Sequence, residues 1–136
     1  MRLQELVQVL DLEELTPALT SPTRPGDGDL GATTGAGAGD ARDADITRGY
    51  ASDLLSDVLA NAPAGGILVT LQVHLNVIAV ASHAGLRAVI FSCGRRPEDD
   101  VVERAAEEGL ALLASPADTF ELAGRLYELG LRGNPA

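Results

Sequence analysis

From residue 66 onward the sequence alternates short apolar runs with amphipathic stretches, and this alternation constrains the fold more than any other feature. The apolar runs, which are typical of buried strands, are residues 67–71, 88–91 and 110–114. Stretches of helical periodicity follow them: two begin at Asn76 and Pro97, and the last is capped by the sequence Ser115-Pro116-Ala117-Asp118. Repeated β-α units with short loops predict an α/β fold, with a mainly parallel sheet and flanking helices in a single three-layer domain.

Further elements are predicted before these units. Residues 45–51 are expected to form a short strand. Ser52 is a candidate N-cap for a helix that ends near Asn61, and its inner face is expected to carry Leu54, Leu55, Val58 and Leu59. Another short helix is predicted at the N-terminus, where the apolar residues at helical spacing are Leu3, Leu6, Val7 and Leu10.

Residues 20–42 differ in composition from the rest of the chain. They contain six glycines and two prolines but only one large apolar residue, Leu30. Such a segment cannot bury enough apolar surface to offset the entropy of ordering it. We therefore expect residues 1–136 to form one domain in which residues 20–42 are a flexible loop. The Gly-Ala repeat at 35–39 follows no predicted strand and opens no helix, so it lacks the context of a phosphate-binding loop.

The charged residues exclude several functions. All ten cations are arginine, and with twenty acidic residues the net charge is −10. Without lysine the chain has neither a Walker phosphate loop nor a Schiff-base nucleophile. The acidic balance argues against nucleic-acid binding.

The expected location is cytoplasmic. The apolar run 77–81 is too short to cross a membrane, and the single cysteine, Cys93, excludes a disulfide framework.

Polar residues follow two of the predicted strands, where parallel sheets bind ligands. The candidate ligand-binding residues are Thr70, Gln72, His74, Asn76, Ser92, Gly94 and Arg95. Together with Arg96 they suit a small anionic ligand, because guanidinium groups bind phosphate bidentately. The alternative is local bonding, with Asn76 capping a helix and the two arginines paired to the acidic residues Glu98, Asp99 and Asp100.

Catalytic and metal-binding interpretations find less support. Cys93 with His74 as its base is one candidate pair, but no acyl-transfer or redox motif accompanies it. Asp53 and Asp57 lie four residues apart, and helix capping explains them without a metal. We predict no catalytic residue, no metal site and no cofactor.

Several segments resemble one known family in sequence order. They are residues 45–60, 68–81, 94–97, 115–120 and 123–127, of which the first reads Asp-Ile-Thr-Arg-Gly-Tyr-Ala-Ser-Asp at its start. Together they resemble the DRTGG domain family, which is similar to the N-terminal domain of bacterial HPr kinase/phosphorylase. The name-giving glycine pair of the family is Arg48-Gly49 here. The motif residues that the resemblance marks as a candidate interface are Thr47, Gly49, Tyr50, Ser52 and Asp53.

The resemblance implies a function without catalysis. Members of the family occur alone or joined to CBS-domain pyrophosphatases and phosphotransacetylases, where they resemble regulatory or dimerisation modules. The chain is therefore expected to be a regulatory module and a homodimer, with another regulatory protein or an enzyme as a further candidate partner. The alternative is a nucleotide- or anion-binding sensor at the loops that follow the strands. A kinase is not expected, because the likeness is to the half of HPr kinase that lacks the phosphate loop.

Overall fold

The computed structural model describes residues 1–17 and 43–135. The strands are β1 Glu13–Glu14, β2 Gly49–Ala51, β3 Ile67–Thr70, β4 Ala88–Phe91 and β5 Ala111–Ala114. The helices are α1 Leu3–Val9, α2 Leu55–Asn61, α3 Asn76–His83, α4 Asp99–Glu107 and α5 Thr119–Glu128. The predicted flexible loop at 20–42 lies outside the described residues.

The strands form one sheet in the order β1-β5-β4-β3-β2. Strands β2 to β5 are parallel and follow each other in chain order, so each helix between them crosses over the same face. The register aligns Thr70 with Phe91 and Phe91 with Ala114, which places the carboxyl ends of three strands at one edge. Strand β1 pairs antiparallel with β5 and makes the sheet mixed.

Helices cover both faces of the sheet, which confirms the predicted three-layer α/β fold. One core cluster joins α1 and α5 to residues such as Ile67 and Ile90. The other joins α2, α3 and α4 to residues such as Leu68 and Phe91. Because alternate side chains of each central strand enter different cores, the strands are buried throughout and their sequences are continuously apolar.

The start of α4 differs from the prediction. Pro97 was expected at its first position, but the helix begins at Asp99 with Glu98 as its N-cap in an extended conformation. The prediction that Pro97 opens α4 is therefore wrong by two residues. The acidic residues Asp99 and Asp100 do occupy the first turn, where the helix dipole favours them.

The region around α2 differs more. Ser52 is not the N-cap, because the helix begins at Leu55 and the Ser52 hydroxyl instead accepts a bond from the Leu54 amide in the preceding turn. Of the predicted inner face only Val58 is fully buried, whereas Leu54 is 64% exposed. The strand predicted at 45–51 is reduced to β2, since residues 45 and 48 form only isolated bridges.

Candidate functional site

An open cleft of about 490 Å³ lies at the carboxyl edge of the sheet, between the loop after β3 and the loop after β4. Its lining residues are Gln72, Val73, His74, Leu75, Arg95, Arg96, Glu98, Asp100 and Val101. The structure thus brings Gln72, His74 and Arg95 together, as the position of both loops after parallel strands predicts. Of the other candidate ligand-binding residues, Thr70, Asn76, Ser92 and Gly94 do not line this cleft.

The first side of the cleft is shaped by bonds to the turn after β2. The Gln72 side-chain amide donates to the Asp53 carbonyl oxygen over 3.1 Å. The N-cap of α3 is Leu75, so the prediction that Asn76 caps this helix is wrong: Asn76 is its first residue, and the Asn76 amide donates to Nδ1 of His74 at 3.1 Å. With Nδ1 used as an acceptor, the neutral imidazole carries its proton on Nε2 and offers a donor to a ligand.

Asp53 connects this loop to β2 and is part of the framework behind the cleft. Its Oδ1 accepts bonds from the Leu71 amide at 2.7 Å and from the Thr70 hydroxyl at 3.1 Å. The Thr70 hydroxyl, which is fully buried, accepts the Gln72 amide in turn. Thr70 and Asp53 therefore fix the path of the backbone that presents Gln72 and His74, through the Thr70 hydroxyl and Oδ1 of Asp53.

The other side of the cleft carries the two arginines. Arg95 is exposed, and its guanidinium forms no hydrogen bond or salt bridge with any residue that the structure describes. Arg96 binds Glu13 of β1 through both terminal nitrogens, and the bond from Nη2 to Oε2 measures 2.8 Å. The hydrogen bond from Arg96 lowers the pKa of Glu13, and the same contact raises the pKa of Arg96. Pairing with the first turn of α4, the alternative stated above, is not observed.

The start of the loop after β4 has a local structural role. The Ser92 hydroxyl is fully buried and lies 2.7 Å from the Thr119 hydroxyl at the start of α5. Cys93 and Gly94 both adopt positive φ, at 59° and 69°, which turns the chain sharply toward Arg95. Cys93 is a free, exposed thiol, and no hydrogen bond links it to His74.

The motif residues 47–53 form the outer strand and the turn after it. The Thr47 carbonyl and the Gly49 amide bond to the backbone of Arg132, close to the end of the chain. The Tyr50 hydroxyl donates to Asp57 at 2.8 Å. Bonds from Asn61 and then Tyr50 lower the pKa of Asp57, and the contact with Asp57 raises the pKa of Tyr50. Both carboxyl oxygens of Asp57 thus have donors within the protein.

An apolar groove of about 160 Å³ runs beside this outer strand, between β2 and α5. It is lined by Gly49, Tyr50, Ala51, Val69, Ala123, Leu126, Tyr127, Leu131, Arg132 and Gly133. The Arg132 guanidinium stacks on the Tyr127 ring, with its central carbon 3.8 Å from the ring centroid. Tyr127, which lines the groove, is 59% exposed, and Phe120, about two turns earlier on α5, is 88% exposed. No local pattern in the sequence indicates this groove, because its two walls lie more than sixty residues apart.

Metal binding has no support in the described parts of the chain. No group of three His, Cys, Asp or Glu side chains within residues 1–17 and 43–135 is arranged to hold an ion.

No helix in those residues is both long and apolar enough to cross a bilayer.

Comparison with known families fits this architecture. The profile of the DRTGG domain matches residues 41–129, from before β2 to beyond α5. The chain belongs to the DRTGG domain family. The match includes both loops of the cleft and the outer strand, so it contains all the candidate ligand-binding residues and all the motif residues 47–53.

A solved structure shares the DRTGG fold. The CBS and DRTGG domains from the regulatory region of Clostridium perfringens pyrophosphatase, complexed with the activator diadenosine tetraphosphate, superpose with a TM-score of 0.63 at 15% identity. The alignment covers 96% of this chain and 47% of that one, so the chain spans about half the length of that structure. A comparison with curated proteins found no significant match.

Proposed function

We propose that this DRTGG domain is a non-catalytic regulatory module that binds a small phosphate-bearing ligand, of the nucleotide class, in the cleft between the loops after β3 and β4. The observation that carries this proposal is the convergence of Gln72, His74 and Arg95 on one open cleft. The guanidinium of Arg95 has no bonding partner among the described residues, and a phosphate group would supply one.

The mixed charge of the cleft favours a nucleotide over a bare anion. Arg95 supplies a fork for phosphate, whereas Glu98 and Asp100 supply carboxylates that accept bonds from ribose hydroxyls. Leu75, which is 41% exposed, offers apolar surface to a base. That the pyrophosphatase regulatory region binds diadenosine tetraphosphate supports this ligand class.

The test is a binding series with defined nucleotides. Calorimetry with ATP and with diadenosine tetraphosphate is expected to detect binding, and a ligand of the native state must also raise the melting temperature. Arg95→Ala is expected to weaken binding by about tenfold or more, since a charge-assisted bond contributes roughly 1.5–3 kcal/mol. Arg104→Ala removes the same charge from α4 outside the cleft and serves as the control. No binding at millimolar nucleotide, or equal binding by both variants, refutes the proposal.

A homodimer formed through α5 and β2 is the second part of this proposal. The surface presents two exposed aromatic side chains, Phe120 and Tyr127, beside an apolar groove. Beyond the bridge between Arg48 and Arg132, no described residue pairs with the outer edge of β2. Such a surface can be self-complementary. A two-fold axis would bring the exposed aromatic of one copy toward the groove of the other, and the two open β2 edges toward each other.

Sedimentation velocity with two matched variants tests the dimer. Phe120→Arg is expected to yield a monomer, because it places a charge at the centre of the proposed interface. Leu54→Arg changes a different exposed apolar side chain, at the N-cap of α2, and is expected to leave the dimer intact. A monomeric wild-type protein at high concentration, or dissociation by Leu54→Arg alone, contradicts this interface.

The cellular setting of the module is also part of the proposal. The resemblance to the N-terminal half of HPr kinase/phosphorylase supports a role beside a catalytic or regulatory partner protein. The free, exposed Cys93 is consistent with a cytoplasmic location. Affinity capture with the wild-type chain, repeated with Phe120→Arg, separates partners that need the proposed dimer surface from those that do not.

A further inference from the structure

Arg96 lies between two clefts. Its side chain lines the cleft described above and also a neighbouring cleft of about 380 Å³, whose other residues include Glu13 of β1 and Ser115 after β5. Arg96 follows Arg95 in the sequence and lines the same cleft. Unlike the Arg95 guanidinium, that of Arg96 already has a bonding partner. Both of its terminal nitrogens bind the two carboxylate oxygens of Glu13. The pair joins residues 83 positions apart in the chain.

The contact has the geometry by which arginine binds phosphate. A guanidinium fork matches two oxygens of a carboxylate or of a phosphoryl group in the same bidentate way. The side chains of Arg96 and Glu13 are 54% and 57% exposed, so water and solutes reach the contact. Exposed ion pairs contribute little to stability, so a phosphoryl group that competes for Arg96 has little free energy to overcome.

We propose that the Arg96 fork is an anion subsite of the ligand cleft and that Glu13 is its built-in competitor. A phosphoryl group of the ligand displaces the Glu13 carboxylate, which releases β1 from the loop after β4. This inference rests on the proposed function, since it concerns the same cleft.

The consequence is coupling between the ligand and the edge of the sheet. Strand β1 has only two residues and pairs with β5, and the Leu15 amide after it bonds to the Leu112 carbonyl at 2.9 Å. The Glu13 contact is its side-chain link to the cleft. Because linkage is reciprocal, a ligand that takes Arg96 loosens β1, and a change that loosens β1 strengthens ligand binding.

Calorimetry with ATP and with inorganic pyrophosphate tests the competition. Glu13→Gln is expected to tighten binding by about two- to fivefold, the range set by an exposed ion pair. Glu14→Gln removes the same charge from the adjacent residue of β1, which has no bond to Arg96, and is expected to match the wild type. Arg96→Ala is expected to weaken binding, and Glu13→Gln is expected to have no further effect in that background.

Hydrogen exchange gives a second readout of the same contact. Saturating ATP is expected to speed exchange of the Leu15 amide in the wild type and to leave it unchanged in Glu13→Gln, where the link is already absent. If the wild type binds ATP through Arg95 but Glu13→Gln binds no more tightly than Glu14→Gln, the competitor role is overturned and the proposed function stands. If neither the wild type nor Glu13→Gln binds either probe, both are overturned.

Discussion

Asp53→Ala is expected to destabilise the protein far more than its exposed position indicates. The substitution removes one carboxylate oxygen that accepts two bonds, from the Leu71 amide at 2.7 Å and from the Thr70 hydroxyl at 3.1 Å. Thr70 is fully buried, so its proton loses its partner in a place that water does not reach. A bond to a charged acceptor contributes roughly 1.5–3 kcal/mol, and an orphaned buried hydroxyl adds to the loss.

Losing both bonds and leaving the Thr70 hydroxyl without a partner lowers the free energy of unfolding by about 2–3 kcal/mol. This figure allows for solvent screening of the exposed carboxylate. For a domain of this size the melting temperature then falls by roughly 10 °C. Urea unfolding and thermal melts measure both quantities. Asp53→Asn keeps one acceptor oxygen and is expected to lose only about 1 kcal/mol.

Two comparisons make this prediction refutable. Glu103→Ala removes an exposed carboxylate of α4 that bonds to no described residue, and it is expected to change stability by less than about 0.5 kcal/mol. Thr70→Val combined with Asp53→Ala is expected to lose clearly less than the two single variants added together, because they share one bond. An Asp53→Ala protein as stable as Glu103→Ala, or full additivity with Thr70→Val, refutes the structural role.

Further predictions concern pH and glycines. Asp57 has a lowered pKa in the folded state, so its ionised form stabilises the protein at neutral pH, and this contribution is lost as the pH falls through the folded value. Asp57→Asn should therefore lose less stability than the wild type on acidification below about pH 4, and parallel urea-midpoint curves would contradict this. Gly66→Ala should destabilise by about 1–3 kcal/mol, because the added methyl carbon lies 3.0 Å from two backbone oxygens. Gly124→Ala, in the interior of α5 with open space around it, should stabilise by about 0.5–1 kcal/mol, and thermal melts showing the reverse order would refute the packing argument.

Local patterns predicted the repeating units well. The bounds of α3 and β4 agree with the sequence analysis, because each is an apolar run with a clear stop such as Gly85, which adopts a φ of 74°. Asp118 caps α5 as its sequence position predicts, by accepting a bond from the Glu121 amide. Signals of this kind lie within a few residues of the element that they define.

Features that depend on distant residues were not predictable in the same way. Strand β1 consists of two exposed glutamates with no apolar alternation, and only its pairing with β5 makes it a strand. Residues 45–48 belong to the predicted strand, and Ile46 is fully buried. They form no strand, because Asp45 bridges to Arg2 and Arg48 bridges to Arg132, near opposite ends of the chain. For the cleft, the β-α topology predicts that Gln72, His74 and Arg95 lie at one edge of the sheet, where the structure has them. The partner of Arg96 is Glu13, and no sequence pattern predicts the strand β1 that carries it.

The antiparallel strand at the edge of the sheet also has a kinetic consequence. The parallel units from β3 to β5 join segments about twenty residues apart, whereas Glu13 and Ala114 are 101 positions apart in the chain. Closing so long a loop is entropically unfavourable until the rest of the sheet exists. Docking of the N-terminal segment, with Leu3 and Leu6 of α1 fully buried, is therefore expected to be the last folding step. A late intermediate would expose apolar side chains of β3 and β5 on that face, which makes it the species most prone to aggregate.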